Sequence, residues 1–497
     1  MTTHVEDVTT SVGLVIDGDV EPGGDGSYPV TNPARPSEVV LEAPATSLQQ
    51  LDRAVAAARR ALPAWAALAM EERAALVQAA SGAAAQAVEA GDLARLLTRE
   101  HGKIYWEAVF DAGTMGGMAA AFAPLAAEAL ATRELSGGTT RVEWQPHGVV
   151  AAILPFNWPV SVMANKVLPA LLAGNSVVVK APPTCPGTVL LVAAAMAEAL
   201  PDGVLNVVNG PGAALGAALV GHPGVDMVSF TGGTATGQAV MAAASATTRP
   251  VVLELGGNDP AILAPDLTID GKLADRVAGA AFDSSGQICM AIKRLYVHRD
   301  QLDDTVAALA ERLSYHVVGD GLVEEVTMGP VHTGSARDRV EAFIAEADAA
   351  GAAVHRPARV RGGDVAAGGF FVSPALVVAP PPDARIVCEE QFAPALPIIP
   401  YDDIDDAVAA ANDTEFGLCA SVWSNDAALA DDVAGRLEAG TVFVNAHGIS
   451  AIDMYAPMGG WKHSGFGAEL GTEGMQAYAR QRVRVSRPGQ GSPGAPA

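Results

Sequence analysis

Short runs of apolar residues alternate with longer helical segments through the middle of the chain. Runs at 149–154, 176–180, 204–208, 227–230 and 251–255 predict five strands. Residues 159–172, 189–200, 213–220 and 235–244, which lie between them, predict helices. Strands that are apolar on both faces and separated by helices are typical of a parallel sheet covered on both sides. This part of the chain therefore predicts an open-sheet α/β domain.

A second alternating block begins near residue 261. It predicts strands at 295–298, 370–378, 419–424 and 441–445 and a helix at 302–313. Upstream, residues 51–131 have helical character and residues 139–146 an extended one. The first 30 residues, rich in Gly, Asp and Thr, predict an arm, and the Pro/Gly-rich residues 488–497 a flexible tail. We therefore expect an α/β fold with two domains.

Composition supports two large domains and excludes some classes of binding partner. The chain has 497 residues, of which 50% are hydrophobic and 18% charged, and its formal net charge is -25. Such a surface repels nucleic acid and anionic membranes. We see no signal peptide, no membrane-spanning run and no paired cysteines among Cys185, Cys289, Cys388 and Cys419. The expectation is a cytoplasmic protein without a metal site.

Two glycine-rich loops join predicted strands to predicted helices. The first, at 209–216, contains Gly212 and is one residue longer than the usual dinucleotide fingerprint, so a plain tight turn explains it equally well. The second, at 230–237, contains Gly232, Gly233, Thr234 and Gly237. Free N–H groups at a helix N-terminus suit a pyrophosphate. Together the loops favour a dinucleotide cofactor.

Side chains that could take part in catalysis follow several of the predicted strands. Asn157, Lys180 and Glu254 lie at strand ends, and Cys289 lies in a Gly- and Gln-containing segment that suits a loop. Each has a structural alternative: an Asn helix cap, a surface lysine, an ion-paired glutamate or an inert thiol. As a set, a thiol, a base and an amide donor beside two phosphate loops suit covalent oxidation of a carbonyl.

The chain resembles the NAD(P)-dependent aldehyde dehydrogenase superfamily over nearly its whole length. The motifs that carry the resemblance occur in the family's order: EHGK from Glu100, PFNWP from Pro155, SVVVK ending at Lys180, FTGGTATG from Phe230, LELGG from Leu253, GQIC ending at Cys289, EEQFAP from Glu389 and PMGGWKHSG from Pro457. The resemblance implies two Rossmann-type open-sheet domains and a β oligomerisation arm. It places the coenzyme domain at 1–130 and 148–257, the catalytic domain at 258–457 and the arm at 131–147 and 477–487.

The resemblance also implies roles for individual residues. Cys289 would attack the aldehyde, Asn157 would stabilise the oxyanion, and Glu254 would activate water to hydrolyse the thioester. Lys180 and Glu390 would hold ribose hydroxyls, Phe392 would flank the nicotinamide, and the loop from Gly232 to Gly237 with Leu255 would carry the pyrophosphate. Lys166 is a weaker candidate for a proton path from Glu254. A homodimer or homotetramer is expected.

The sequence leaves more than one possibility for the cofactor and for the reaction. Pro183 stands where many NAD-preferring members have an acidic residue, so NAD is expected and NADP is left open. Ala393 and Gly233 also depart from the usual glycine and serine. CoA-acylating oxidation is the main alternative, and a cysteine hydrolase on this fold is a remote one. The presence of Glu254 as a base favours water over CoA as the acceptor of the acyl group.

The aldehyde itself is not identified by the sequence. The resemblance implies a substrate tunnel formed by Trp158, Val162, Asn165, Ile288, Met290 and His447. No arginine falls in these segments to hold a substrate carboxylate. An apolar or aryl aldehyde is the expectation from this lining.

Overall fold

The computed structural model describes residues 12–136 and 139–486. Its helices cover most of the segments that the sequence marks as helical. They are α1 (Leu48–Ala67), α2 (Met70–Ala90), α3 (Leu93–His101), α4 (Tyr105–Ala129), α5 (Pro159–Leu172), α6 (Gly187–Ala197), α7 (Ala214–Gly221), α8 (Thr234–Ser245), α9 (Gly271–Phe282), α10 (Leu302–Ser314), α11 (Gly334–Ala349), α12 (Gly362–Ala366), α13 (Arg385–Cys388), α14 (Ile404–Asn412), α15 (Ala427–Arg436) and α16 (Gly471–Ala477). No helix of this part of the chain is long and apolar enough to cross a bilayer. The predicted tail at 488–497 lies outside the described residues.

The strands form two large sheets and several small ones. They are β1 (Leu14–Ile16), β2 (Asp19–Glu21), β3 (Ser27–Asn32), β4 (Arg35–Pro44), β5 (Arg133–Leu135), β6 (Thr140–Pro146), β7 (Val149–Ile153), β8 (Ser176–Lys180), β9 (Leu205–Val208), β10 (Met227–Thr231), β11 (Val251–Glu254), β12 (Pro260–Leu263), β13 (Arg294–His298), β14 (Val317–Val318), β15 (Ala353–His355), β16 (Arg359–Val360), β17 (Ala375–Val378), β18 (Ala395–Tyr401), β19 (Phe416–Gly417), β20 (Cys419–Trp423), β21 (Thr441–Val444), β22 (Trp461–Lys462), β23 (Gly465–Phe466) and β24 (Ala479–Val485).

The first large sheet has the order β2-β1-β9-β8-β7-β10-β11-β23. Its five central strands, β9 to β11 in that order, run parallel and correspond to the five predicted apolar runs. Every residue of β7, β8 and β9 is buried, which explains why their sequences do not alternate. Apolar clusters on both faces confirm a covered parallel sheet.

Both edges of this sheet come from segments that the sequence did not assign to it. The predicted N-terminal arm is wrong for residues 14–21, because β1 and β2 extend the sheet and Val15 pairs with Val207. At the other edge, β23 returns from the far end of the chain and pairs Gly465 with Glu254. Strands of two or three residues depend on such long-range pairing, which leaves no periodic pattern to detect.

The second large sheet has the order β15-β17-β18-β13-β12-β20-β21. The strands predicted at 295–298, 419–424 and 441–445 are confirmed within one residue at each end. The strand predicted at 370–378 is wrong in its first half, since only Ala375–Val378 is a strand. Phe370 N–H donates instead to Pro33 O (2.9 Å), and Pro374 has no N–H for a ladder.

A separate antiparallel sheet is formed by β5, β6 and β24. It lies within the segments predicted as the bridging arm, 131–147 and 477–487. β24 pairs with β6 along its whole length, from Ala479 opposite Pro146 to Val485 opposite Thr140. The Arg482 guanidinium and the Glu143 carboxylate, 2.7 Å apart, add an ion pair across the two strands.

Asn175 connects this three-stranded sheet to the first large one. Its buried amide nitrogen donates to Ala170 O (3.0 Å) and to Tyr478 O (2.8 Å), just before β24. Its amide oxygen accepts the Gly148 N–H (2.9 Å), between β6 and β7. One side chain therefore satisfies three backbone groups that are out of reach of water.

We predict that Asn175→Ala lowers the free energy of unfolding by about 2–4 kcal/mol, because buried backbone groups lose their partners. The measurement is the urea midpoint followed by circular dichroism. Asn425→Ala is the matched control, since Asn425 is exposed and its amide nitrogen makes one bond, to Asp266 O. Equal midpoints for the two variants would contradict this role of Asn175.

Candidate functional site

The polar side chains singled out in the sequence meet at one edge of the first sheet. Register places Lys180 beside Ile153 and Glu254 beside Thr231. Asn157 follows β7 at the same edge, shortly before α5. Parallel strands bring their carboxyl ends together, and the crevice outside these ends is where open α/β sheets bind ligands.

Cys289 lies in a loop that follows α9. Before it, Ser284, Ser285 and Gly286 all have left-handed backbone angles, with φ of 54°, 57° and 70°. A Cβ on Gly286 would come within 2.6 Å of Ala393 O, so only glycine fits there. The Ala393 segment therefore packs directly on the backbone that carries the nucleophile candidate.

Asn157 and His332 fix the residue that comes two positions before Cys289. The Asn157 amide nitrogen donates to Gln287 O (3.0 Å), and Gln287 Oε1 accepts the His332 N–H (2.8 Å). The structure thus brings Asn157 to the loop of Cys289, as the resemblance implies. One of the two amide N–H bonds of Asn157 remains for another acceptor.

Glu254 is a buried carboxyl without a hydrogen-bond partner among the described residues. Burial raises its pKa well above the usual range, the negative charge of Glu469 adds to the shift, and the positive charge of Lys166 opposes it. Lys166 itself donates to Glu469 Oε1 (2.6 Å) and to Ser229 Oγ (3.0 Å). Lys166 thus sits beside Glu254 without pairing with it.

Lys293 is a residue of the site that sequence reasoning missed. Its ammonium donates to Ile288 O (3.1 Å) and to Cys289 O, and lies 3.4 Å from Glu390 Oε1. It joins the Cys289 loop to the Glu390 segment. Its position four residues after the cysteine was the only signal in the sequence, and spacing alone does not reveal a carbonyl contact.

The surroundings of the Cys289 thiol favour its protonated form. The side chain is half-buried, and this burial raises the pKa of the thiol to about 12. The Lys293 ammonium acts in the opposite direction, and the Glu254 carboxyl adds to the increase. The thiol must lose its proton to a base before it can attack. Among the nearby carboxyls, Glu254 has the largest effect on the pKa of the thiol.

Glu390 and Phe392 lie on the segment that packs over this loop. Glu390 Oε1 accepts the Gly257 N–H (3.1 Å), just after β11. A Cβ on Gly256 would lie 2.5 Å from Glu390 Oε2 and 3.2 Å from Thr234 Oγ1, so both side chains face this glycine. The Phe392 ring stands edge-on to Phe156, 6.0 Å between centroids.

The loop between β10 and α8 offers unsatisfied donors. Its cap residue, Gly233, has no side chain to bond the first turn, and Gly237 packs against Leu255. The buried hydroxyls of Thr231 and Thr234 have no partner among the described residues. Free N–H groups and unpartnered hydroxyls at a helix N-terminus fit a phosphate-containing group.

Lys180 stands at the other glycine loop. Its Cδ and Cε lie 3.7 Å from the position of a Cβ on Gly216, and its only acceptor among the described residues is Ala181 O (3.3 Å). Burial lowers its pKa to about 8. Gly212, in the same loop, is exposed and has a left-handed φ of 71°. A buried, poorly paired lysine is ready to donate to a ligand hydroxyl.

A cavity of about 370 Å³ lies next to the Cys289 loop. Of the six residues expected in a substrate tunnel, Ile288 and His447 line it. Trp158, Val162 and Met290 belong instead to the apolar cluster against which Cys289 packs. Within residues 12–136 and 139–486, no cluster of His, Cys, Asp and Glu is arranged to hold a metal ion.

Comparison with known proteins finds relatives along nearly the whole chain. The model of the aldehyde dehydrogenase family matches residues 20–483. An alpha-ketoglutarate semialdehyde dehydrogenase from Haloferax volcanii is 37% identical over 91% of this chain and 94% of its own. A betaine aldehyde dehydrogenase from Beta vulgaris is 36% identical, covering 94% of each chain.

Solved structures show the same fold. The crystal structure of an E. coli NADP dependent enzyme superposes with a TM-score of 0.90 at 33% identity, covering 97% of this chain and 99% of that one. The Staphylococcus aureus betaine aldehyde dehydrogenase in complex with NAD+ gives 0.89 at 31% identity, covering 98% and 97%.

We predict that alkylation of Cys289 by iodoacetamide is slow at pH 7 and rises about tenfold per pH unit up to at least pH 10, because only the thiolate reacts and its pKa is raised. Peptide mass spectrometry separates Cys289 from the exposed Cys388. Lys293→Met should slow the reaction further at pH 9, whereas Lys272→Met, on the exposed side of α9, should not. A plateau below pH 9 would rule out the raised pKa.

Proposed function

The chain belongs to the aldehyde dehydrogenase family, and on that premise we propose that it oxidises an aldehyde to a carboxylate with a nicotinamide dinucleotide as hydride acceptor. The observation that carries the proposal is the meeting of a half-buried thiol, Cys289, with a buried unpaired carboxyl, Glu254, and the amide of Asn157. These groups supply the nucleophile, the base and the oxyanion donor of one reaction.

Cys289 adds to the aldehyde carbon and forms a thiohemiacetal. The thiol proton leaves to Glu254, whose raised pKa makes its carboxylate a stronger base than a solvated one. The free N–H of the Asn157 amide and the backbone N–H of Cys289 stabilise the negative oxygen. The contact of Asn157 with Gln287 O keeps this donor beside the nucleophile.

Loss of hydride turns the thiohemiacetal into a thioester on Cys289, and a bound nicotinamide supplies the acceptor for that hydride. Glu254 next releases the thiol proton to solvent and then takes a proton from water, which attacks the thioester and releases the carboxylate product and the Cys289 thiolate. Lys293 keeps the loop in place during both steps through its contacts with Ile288 O and Cys289 O. Lys166 is a positioning residue near this base.

The residues around the crevice fit the dinucleotide. Lys180 and Glu390 would donate to and accept from ribose hydroxyls, and Phe392 would flank the nicotinamide. The turn made by Gly232, Gly233, Thr234 and Gly237, with Leu255 beneath it, would hold the pyrophosphate through N–H groups and the unpartnered Thr234 hydroxyl. Gly212 lies on the second loop, near Lys180.

NAD is the proposed cofactor, and an activity assay with both nucleotides distinguishes it from NADP. Pro183 places no carboxylate where a 2′-phosphate would be repelled, and its carbonyl accepts the Tyr28 hydroxyl (2.8 Å). Water is the proposed acyl acceptor, because Glu254 is present as a base. CoA transfer and plain thioester hydrolysis without redox chemistry are the competing outcomes.

We predict that the purified protein reduces NAD or NADP with an aldehyde panel in the absence of CoA, as followed by nicotinamide absorbance. Cys289→Ala should abolish turnover. Glu254→Gln should lower steady-state turnover about a hundredfold or more after a burst of reduced cofactor, because the thioester forms but water is not activated. Glu198→Gln, an exposed glutamate, is the matched control.

Reduction that depends on CoA would favour the acylating reaction instead. Full steady-state turnover by Glu254→Gln would show that another group is the base. Thioester cleavage without any cofactor reduction would indicate the hydrolase.

We also propose that the sheet of β5, β6 and β24 joins subunits of a homodimer or homotetramer. β24 is an edge strand whose residues after Ala479 are all exposed, and Val483 and Val485 are 60% and 62% exposed. An exposed edge strand that carries apolar side chains favours pairing with another chain.

We predict that Val483→Lys with Val485→Lys converts the oligomer to a monomer, because charges on both side chains oppose burial of the edge. Light scattering coupled to size exclusion gives the mass. Val20→Lys is the control, since Val20 is equally exposed on the edge strand β2. An unchanged mass in the double variant would contradict the assignment.

A further inference from the structure

The first two turns of α4 carry two carboxyl groups, Glu107 and Asp111, that bind different parts of the candidate site. Asp111 is fully buried, and its Oδ1 accepts the Ser161 N–H (2.8 Å) and the Ser161 hydroxyl (2.9 Å). Ser161 lies in the first turn of α5, whose own cap residue, Trp158, makes no side-chain bond to that turn. Asp111 therefore supplies, from another helix, the acceptor that the start of α5 lacks.

Glu107 binds the loop that carries Cys289. Its Oε1 accepts the Ser284 N–H (2.6 Å), and its Oε2 accepts the Ile104 N–H (3.2 Å) at the start of α4. Ser284 is the first of the three left-handed residues before the nucleophile. Such backbone angles are uncommon in residues other than glycine and persist where the surroundings hold them. The Glu107 carboxyl is one of the groups that hold this turn.

Lys103, from the EHGK motif, connects these carboxyls to the residue beside Asn157. Its buried ammonium donates to Asp111 Oδ2 (2.9 Å). The same ammonium lies 3.7 Å from the centroid of the Trp158 ring. A carboxylate and an aromatic face together offset the cost of burying the lysine charge. The proposed reaction assigns no step to this motif, so its contacts call for a separate explanation.

The contacts of α4 close a ring of hydrogen bonds around the oxyanion donor. Ser284 O accepts two N–H groups of Gln287, one from its backbone and one from its amide, both at 3.1 Å. Gln287 O accepts the Asn157 amide (3.0 Å). Asn157 precedes Ser161 by one turn's length of chain, and Ser161 returns the ring to α4. One end of α4 therefore holds the amide donor and the nucleophile loop at the same time.

We propose that Glu107 and Asp111 are positioning residues that align the Asn157 amide with Cys289, an inference that rests on the proposed function. An oxyanion donor is effective only when it is held close to the position where the charge develops. A displacement of about 1 Å can lower a rate about a hundredfold. Neither carboxyl acts on the reacting atoms, and each acts through the groups that it binds.

The contact of Glu107 with the loop requires an acceptor oxygen and not a full charge. Glu107 is half-buried, and this burial raises its pKa to about 7, against the charge of Lys103. Glutamine has the same shape and keeps one acceptor oxygen for Ser284. Glu107→Gln is therefore the conservative variant, and Glu107→Ala removes the contact. Glu128→Ala is the matched control, since Glu128 is exposed near the other end of α4.

The test is acylation of Cys289 by 4-nitrophenyl acetate, which needs no cofactor and also passes through an oxyanion. The sulfur bonds to the acetyl carbon, the bond to nitrophenolate breaks, and nitrophenolate absorbance gives the rate after subtraction of the Cys289→Ala rate. Glu107→Ala should lower the maximal rate about tenfold and keep the half-saturating ester concentration within about twofold. Glu107→Gln should recover most of the rate, and Glu128→Ala should match the unaltered protein. A Glu107→Gln rate as low as that of Glu107→Ala overturns the inference.

A double-mutant cycle distinguishes positioning of Asn157 from a general effect on the fold. Asn157→Ala alone should lower the maximal acylation rate about a hundredfold, as expected for loss of an oxyanion donor. In that background Glu107→Ala should cost no more than about a further twofold, because the group that it aligns is absent. Equal losses with and without Asn157 overturn the inference.

The Asp111 contact is tested without leaving a buried charge unpaired. Lys103→Met with Asp111→Leu replaces the ion pair by apolar groups of similar size, a change that often preserves stability. The urea midpoint checks the fold. The maximal acylation rate should fall about tenfold, and this loss should also disappear in the Asn157→Ala background. An unchanged rate in the folded double variant overturns the role of Asp111, and the Glu107 variants test the alignment independently of it.

Aldehyde oxidation separates this inference from the proposed function. If the variants change acylation as expected but no aldehyde of the panel is oxidised, the proposed reaction fails and the positioning role stands. If aldehydes are oxidised and acylation does not respond to Glu107→Ala, the reaction stands and the positioning role is overturned.

Discussion

The parallel register of the first sheet is the constraint on which the candidate site depends. Since Lys180 lies beside Ile153 and Thr231 beside Glu254, a shift of one residue would turn these side chains to the other face. The strands are buried on both sides, so such a shift would also move apolar groups out of two cores. Packing of the whole domain therefore fixes where Glu254 can be.

That constraint explains how a carboxyl without a partner is tolerated at Glu254. An unpaired buried carboxyl lowers stability, and the apolar packing on both faces of the sheet offsets that cost. Lys166 is near, but Ser229 and Glu469 hold its ammonium. The carboxyl thus keeps a raised pKa, which is the property that a base for a thiol or for water needs.

Sequence periodicity predicted the central strands and α5 well because their apolar faces are complete. It failed for β1 and β23, whose two or three residues are strands only through long-range pairing. Among the site residues, Cys289, Glu254 and Asn157 were found from strand ends and motifs. Lys293 acts through backbone carbonyls, and such contacts depend on a loop path that no local pattern encodes.

The residues that line the cavity were harder still to predict from the sequence. Its tunnel residues were named from the resemblance, and no arginine falls in those segments. The charges come instead from α9 and the residue that follows it, where Asp275, Arg276 and Asp283 belong to no motif. Only the tertiary structure distinguishes them, because Arg312 and Trp423 engage the first two and Gly279 leaves the third open to the cavity. The charge that lines this cavity therefore depends on the tertiary partners of side chains that lie outside the family's motifs.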